Sequence, residues 1–167
     1  TSGPSGGQSL FVQGNFDGHL SNFGETIELW ASDGTLVTAW SYDGDPTDVQ
    51  QHLRVTEIMY HPLPPSAQEL AINSTWTSDS FEFLELTKAS TDLTLDLAGA
   101  RFSDGIEFDF AQAALTTLAP QQSLLLVKDR NAFESRYGSE MMSRIAGEFQ
   151  MASGLRDSGE VLKLDVA

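Results

Sequence analysis

Apolar and polar positions alternate through much of this chain, and the period is two. In "GETIELW" the side chains of Ile27 and Leu29 share one face, and those of Glu28 and Trp30 share the other. A second run, "LVTAWSY", follows Ser32-Asp33-Gly34, and an Asp-Gly pair supplies the positive φ that a tight hairpin turn needs. An earlier apolar-rich run, "SLFVQGNF", reads as a strand as well. The acidic, proline-bearing "DGDPTDVQQ" then breaks the pattern and marks the best internal boundary. From Leu53 it restarts: "LRVTEIMY" predicts a strand whose alternation slips near Glu57-Ile58, as a bulge would cause, and "HPLPP" ends it. Residues 66–80 read as a polar loop around Trp76, and "FEFLEL" and "LTLDL" as short strands. After a "SDG" turn, "IEFDF" places Ile106, Phe108 and Phe110 on one face, while the unbroken apolar run "SLLLV" suits a strand buried on both.

Only "NAFESRYG" reads as helical. Asn131 would cap it with Glu134 three residues on, Phe133 and Tyr137 would share a face, and Gly138 would close it. One short helix at about 130–138 among many strands of about five residues, separated by turns, predicts an all-β chain. The expected architecture is an immunoglobulin-like antiparallel β-sandwich.

"LSNFGETIEL" and "LRDSGEVLKL" are two copies of one pattern. Gly24, Glu25, Ile27 and Leu29 match Gly159, Glu160, Leu162 and Leu164, and Leu20 matches Leu155 in the same register. Gly14 and Phe16 match Gly147 and Phe149 with two extra residues in the second copy. The extended pattern points to a tandem array. Residues 1–7 would be a flexible linker, 8–45 the closing strands of one module, 46–52 a linker, and 53–167 a second module lacking its last strand.

Charge narrows the partners. Nine Lys and Arg against 24 Asp and Glu give a formal charge of -15. The few cations are scattered, so phosphate-rich partners such as nucleic acid and anionic membrane are poor fits. No apolar run approaches the ~18 residues of a membrane span. The lead "TSGPSGG" reads as a small-residue linker and not as a signal peptide, so the chain looks like a piece of something longer. With no cysteine, disulfides and thiolate metal sites are excluded.

Candidate chemistry is sparse. His61, at a strand end, could act as a base or metal ligand, but reads better as a loop residue. Asp43, Asp45 and Asp48 resemble the start of a calcium loop, with Pro46 spoiling the spacing; calcium is the one cofactor they leave open. Asp104, Glu107 and Asp109 read as a solvated sheet face. Glu57, Glu82 and Glu85 sit within otherwise apolar strands. Paired carboxylates can hydrolyse glycosides, but bonding to backbone or to an arginine such as Arg54 or Arg101 accounts for these more simply. Trp30 and Trp76 are the candidate ligand-binding aromatics, with Trp40 beside them, since indole faces suit pyranose rings. G-x-S-x-G, phosphate-loop and dinucleotide motifs are absent, which argues against an enzyme.

Taken in order, "LRVTEIMYHP", "FEFLELTKASTDLTLDLAGARFSDG", "LAPQQSLLLVKDRNAFESRYG" and "IAGEFQMASGLRDSGEVLKL" resemble the bacterial lamin-tail domain. The resemblance covers nearly all of 53–167, and residues 12–45 look like the closing part of the same module. Ala100 stands where the family often has an aromatic, the insertion from Leu63 to Ser80 is long, and the final strand is missing. The resemblance implies an immunoglobulin-like accessory module of a large secreted or surface-attached bacterial protein. It also implies partners among other domains of the same or neighbouring chains. The alternative is an accessory module that binds carbohydrate or calcium. Strand "TLVTAWSY" would supply the pairing that module 53–167 lacks, in cis or by exchange with another chain.

Overall fold

The Asp-Gly turn closes a hairpin as the alternation predicts. In the computed structural model, which describes residues 18–166, strand β1 (Gly24–Trp30) pairs antiparallel with β2 (Leu36–Asp43). Gly34 takes a φ of +83° at the turn. The leading linker, the strand expected in "SLFVQGNF" and the Gly14/Phe16 half of the repeat lie outside the described residues. The chain divides into two compact units after Pro46. In the first, Ile27 stands opposite Trp40 and Glu25 opposite Tyr42. Thr26 and Ser41 bridge their hydroxyls at 2.7 Å on the other face. Ile27, Leu29, Trp30 and Trp40 are all exposed.

The second unit begins with a helix where the sequence suggests a linker. Thr47 and Gln50 form a reciprocal capping box for α1 (Asp48–His52), and Val49 enters the core. β3 (Leu53–Met59) follows and ends before Tyr60-His61-Pro62. Its register shifts between Val55 and Glu57, so Thr56 is the bulged residue, one position earlier than the alternation implies. The supposed polar loop is instead built: Ser66 and Glu69 box the start of α2 (Ala67–Ile72), and a 3-10 turn runs over Ser78–Phe81. The remaining elements are β4 (Phe83–Lys88), β5 (Leu95–Asp96), β6 (Ala100–Asp104), β7 (Phe108–Asp109), β8 (Thr117–Leu118), β9 (Ser123–Val127), α3 (Arg130–Tyr137), β10 (Ile145–Glu148) and β11 (Lys163–Val166). The fold is β-rich, with a few short helices.

Strand order in the larger sheet is β10-β9-β4-β3, and in the second sheet β11-β6-β7; β5 and β8 form a short pair. One departure from the antiparallel expectation is the parallel β9–β10 pair. Parallel neighbours need a long crossover, and α3 with the 3-10 segment Ser139–Arg144 provides it. Leu84, Leu86, Leu124 and Leu126 of the larger sheet share one core with Phe102 and Phe108 of the smaller. On the opposite face Phe83, Leu125 and Val127 pack against Phe133 of α3. "SLLLV" is therefore buried on both faces, as its composition demands. "IEFDF" forms only two strand residues, yet Ile106, Phe108 and Phe110 are all buried on the expected face.

The helix cap also moves. Asp129, not Asn131, accepts the Ala132 amide and starts α3, while Gly138 at φ +90° ends it. The other carboxylate oxygen of Asp129 takes the Trp76 indole N–H at 3.1 Å. Arg136 of α3 then clamps the insertion. It bonds both Glu69 oxygens at 2.8 and 3.0 Å, donates to the Leu63 carbonyl, and stacks 3.4 Å from the Phe81 ring centre. The guanidinium, ahead of opposing burial, holds the Glu69 carboxyl down at about 2. Both side chains of this pair are largely buried. Truncating one partner strands the other, so Arg136→Met is expected to cost about 2–3 kcal/mol in a urea unfolding curve at neutral pH. The Glu69 part of that loss should fade as pH falls from about 4.5 toward 2, where the unpaired carboxyl takes up its proton.

Candidate functional site

The loop within the second copy of the repeat is braced by two charged side chains, Lys128 and Glu82. Met151 and Ala152 both adopt left-handed φ values, 55° and 54°, which L residues rarely take. The Lys128 ammonium holds them there by donating to the carbonyls of Ala152 and Ser153. Glu82, only 2% exposed, accepts the Leu155 amide at 2.9 Å. Gly154 passes between these two groups: a Cβ there would lie 3.0 Å from a Glu82 oxygen and 3.1 Å from Lys128 Nζ. His61 Nδ1 meets Asp157 Oδ1 at 2.9 Å on the outside.

Burial raises the Glu82 carboxyl to about 7, against the lowering pull of the Leu155 amide and of Lys128. Its hydrogen bond to Asp157 raises His61 in the same direction. Glu85 behaves otherwise. Burial pushes it up, but Thr56 at the bulge and Arg144 bond it and hold it below the ordinary value. The three strand glutamates thus have separate fates. Glu82 binds backbone, Glu85 binds Arg144 in place of the expected Arg54 or Arg101, and Glu57 stands exposed opposite Glu85.

Beyond the braces the loop makes a turn that the first unit makes too. Gly159 donates to the Arg156 carbonyl at 3.0 Å, as Gly24 does to that of Ser21 at 3.3 Å. Their φ values are +85° and +82°. The Arg156 amide donates to Glu160 Oε1 at 2.8 Å, as the Ser21 amide does to Glu25 Oε1 at 3.2 Å. The repeat read from the sequence is therefore a repeated turn, with the glutamate tied to the backbone four residues before it. In the second copy the turn borders a shallow groove of about 360 Å³ lined by Ile58, Tyr60, Leu155, Gly159, Glu160 and Leu162. Ile58 and Tyr60 are exposed there, Leu155 forms the floor, and Leu162 packs over the Gly105 turn.

The residues singled out from the sequence are dispersed. Trp76 is buried at 5% exposure, edge-on to Phe81, and works as an internal brace. Trp30 is exposed, with its indole N–H on Glu28, while Trp40 stacks on Tyr42 on the opposite hairpin face. Asp43 ends β2, Asp45 lies in the first unit, and Asp48 starts α1. Among the described residues no three His, Asp or Glu side chains gather to hold a metal ion. His61, in the loop after β3, bonds the Asp157 carboxylate. Nothing local links Glu82 to Lys128, because 46 residues separate them. The one legible signal was a carboxylate inside an apolar strand. No family model, curated protein or solved structure matches this chain.

Glu82 binds its proton more tightly in the folded state than in the unfolded chain, so it favours folding below about 4.5 and that contribution is lost as pH rises through about 7. Its ceiling is on the order of 3 kcal/mol. Glu82→Gln keeps an oxygen for the Leu155 amide and removes the buried charge. Scanning calorimetry should find its Tm close to wild type near about pH 5 and several degrees above it near about pH 8.

Proposed function

We propose that this chain is a non-catalytic structural and interaction module of a large bacterial secreted or surface protein, built on an immunoglobulin-like β-sandwich of the lamin-tail type. Two sheets sharing one core support the sandwich reading, and a turn built twice supports the tandem-module reading. The observation that carries the interaction role is the apolar groove between Ile58 and Leu162. It lies where, among the described residues, β3 and β11 are the edge strands of their sheets. Open strand edges beside exposed apolar side chains are sites where other polypeptides add. The surplus of carboxylates suits a soluble surface unit.

A carbohydrate-binding role is the second reading, favoured by the exposed Trp40 ring stacked with Tyr42 at 5.9 Å. Trp30 faces the other way, so the hairpin offers one aromatic pair and no extended platform. Calcium is the ligand the acidic turn leaves open. Thermal unfolding in chelator and in millimolar calcium should give the same Tm under the interaction reading. A rise of several degrees with calcium but not magnesium would replace that reading with a calcium-binding one.

A further inference from the structure

The ammonium beside Glu82 is not paired with it. Lys128 Nζ donates to the carbonyls of Ala152, at 3.3 Å, and of Ser153. The buried carboxyl takes one hydrogen bond among the described residues, from the Leu155 amide. The point that a Gly154 Cβ would fill lies 3.0 Å from Glu82 Oε2 and 3.1 Å from Lys128 Nζ, and the glycine leaves the way between them open. A buried carboxylate draws its counterion, so a carboxyl that leaves a neighbouring ammonium to backbone carbonyls is placed as a neutral acid would be. The lysine meanwhile holds an unfavourable backbone. Ser153 donates to the Gln150 carbonyl at 3.0 Å across Met151 and Ala152, both left-handed, in a turn that ordinarily takes Asn-Gly. Met151, at the tip, is exposed.

We infer that Lys128 is the moving part of a pH-sensitive latch, holding the Gln150–Ser153 turn while Glu82 is neutral and crossing to the carboxylate when Glu82 ionises, which frees the turn. The charged groups facing Glu82 are few. Lys128, just after β9, favours ionisation, while Asp79 of the 3-10 turn Ser78–Phe81 and Asp157 of the loop itself oppose it. Asp157 is in turn bound by His61, after β3. Burial outweighs the lysine in the held form, which keeps its proton up to about 7. A carboxyl met directly by an ammonium ionises at or below its ordinary value. The held form therefore binds the proton more tightly, and rising pH favours release. The ratio of freed to held turn climbs about tenfold per pH unit between about 4.5 and about 7, then levels off. The His61–Asp157 pair, which grips the loop from outside, weakens in the same direction as His61 loses its charge. The latch needs no partner, so it stands or falls apart from the interaction role.

Hydrogen exchange of the whole protein, followed by NMR from about pH 5 to about pH 8 and corrected for intrinsic rates, tests this. Protection of the Ser153 amide is expected to fall about a hundredfold over that range, with the carbonyl carbon shifts of Ala152 and Ser153 moving together. The amides of the central strands β4 and β9 should keep their protection. Glu82→Gln retains an acceptor for Leu155 but removes the charge that draws the lysine, so Ser153 protection should become flat with pH. Lys128→Met should leave the turn weakly protected even in acid, again without pH dependence. His61→Gln should preserve the fall. A flat wild-type profile, a fall that survives Glu82→Gln or Lys128→Met, or one abolished by His61→Gln overturns the latch. So does an equal fall in β4 and β9, because the transition would then be global unfolding.

Discussion

A strand without a polar face has to be covered twice, and the larger unit is organised by that requirement. Leu124 and Leu126 of β9 face the shared core, while Leu125 and Val127 face α3. Neither face can meet water without exposing several leucine-sized side chains, each worth about 1.5–3 kcal/mol when buried. One covering is the β11-β6-β7 sheet. The other is α3 with the segment after it, and that layer is what allows β10 to return parallel to β9.

Placing a helix there creates a second demand. α3 has only eight residues, too few to hold itself in water, so it is fixed from both ends. Asp129 caps its first turn and the same carboxylate takes the Trp76 indole. Arg136 near its last turn binds Glu69, the Leu63 carbonyl and the Phe81 ring. The long insertion from Leu63 to Ser80 is thus the clamp for the layer that covers β9. Most of its polar residues are exposed, and Glu69 and Trp76 are its buried anchors.

Next to this clamp, the loop of the repeated turn is held by charge, since Glu82 follows Phe81 and Lys128 precedes Asp129. Glu82 and Lys128 both grip the loop that carries the repeated turn, and the buried carboxyl shifts far enough to titrate near neutrality. That loop in turn leads through Glu160 and Leu162 into β11.

Period-two alternation was enough to locate the hairpin, β3 and β4, and an unbroken apolar run located β9, because one-sided or two-sided burial is written directly into neighbouring residues. The repeat was legible for the same local reason: glycine at positive φ and a glutamate reaching back four residues are short-range devices. α1 and α2 were also written locally, as Thr47-x-x-Gln50 and Ser66-x-x-Glu69, but five or six residues show too little apolar periodicity to outweigh a polar composition. Trp76 inside the protein, Arg144 as the partner of Glu85, Glu82 beside Lys128 and the parallel return of β10 all join residues many positions apart. Such pairings follow from how layers stack, and no neighbouring residue records them. By itself the sequence determined which segments needed a covered face; only the tertiary structure decided what covered them, because burial is satisfied by any apolar neighbour of the right shape.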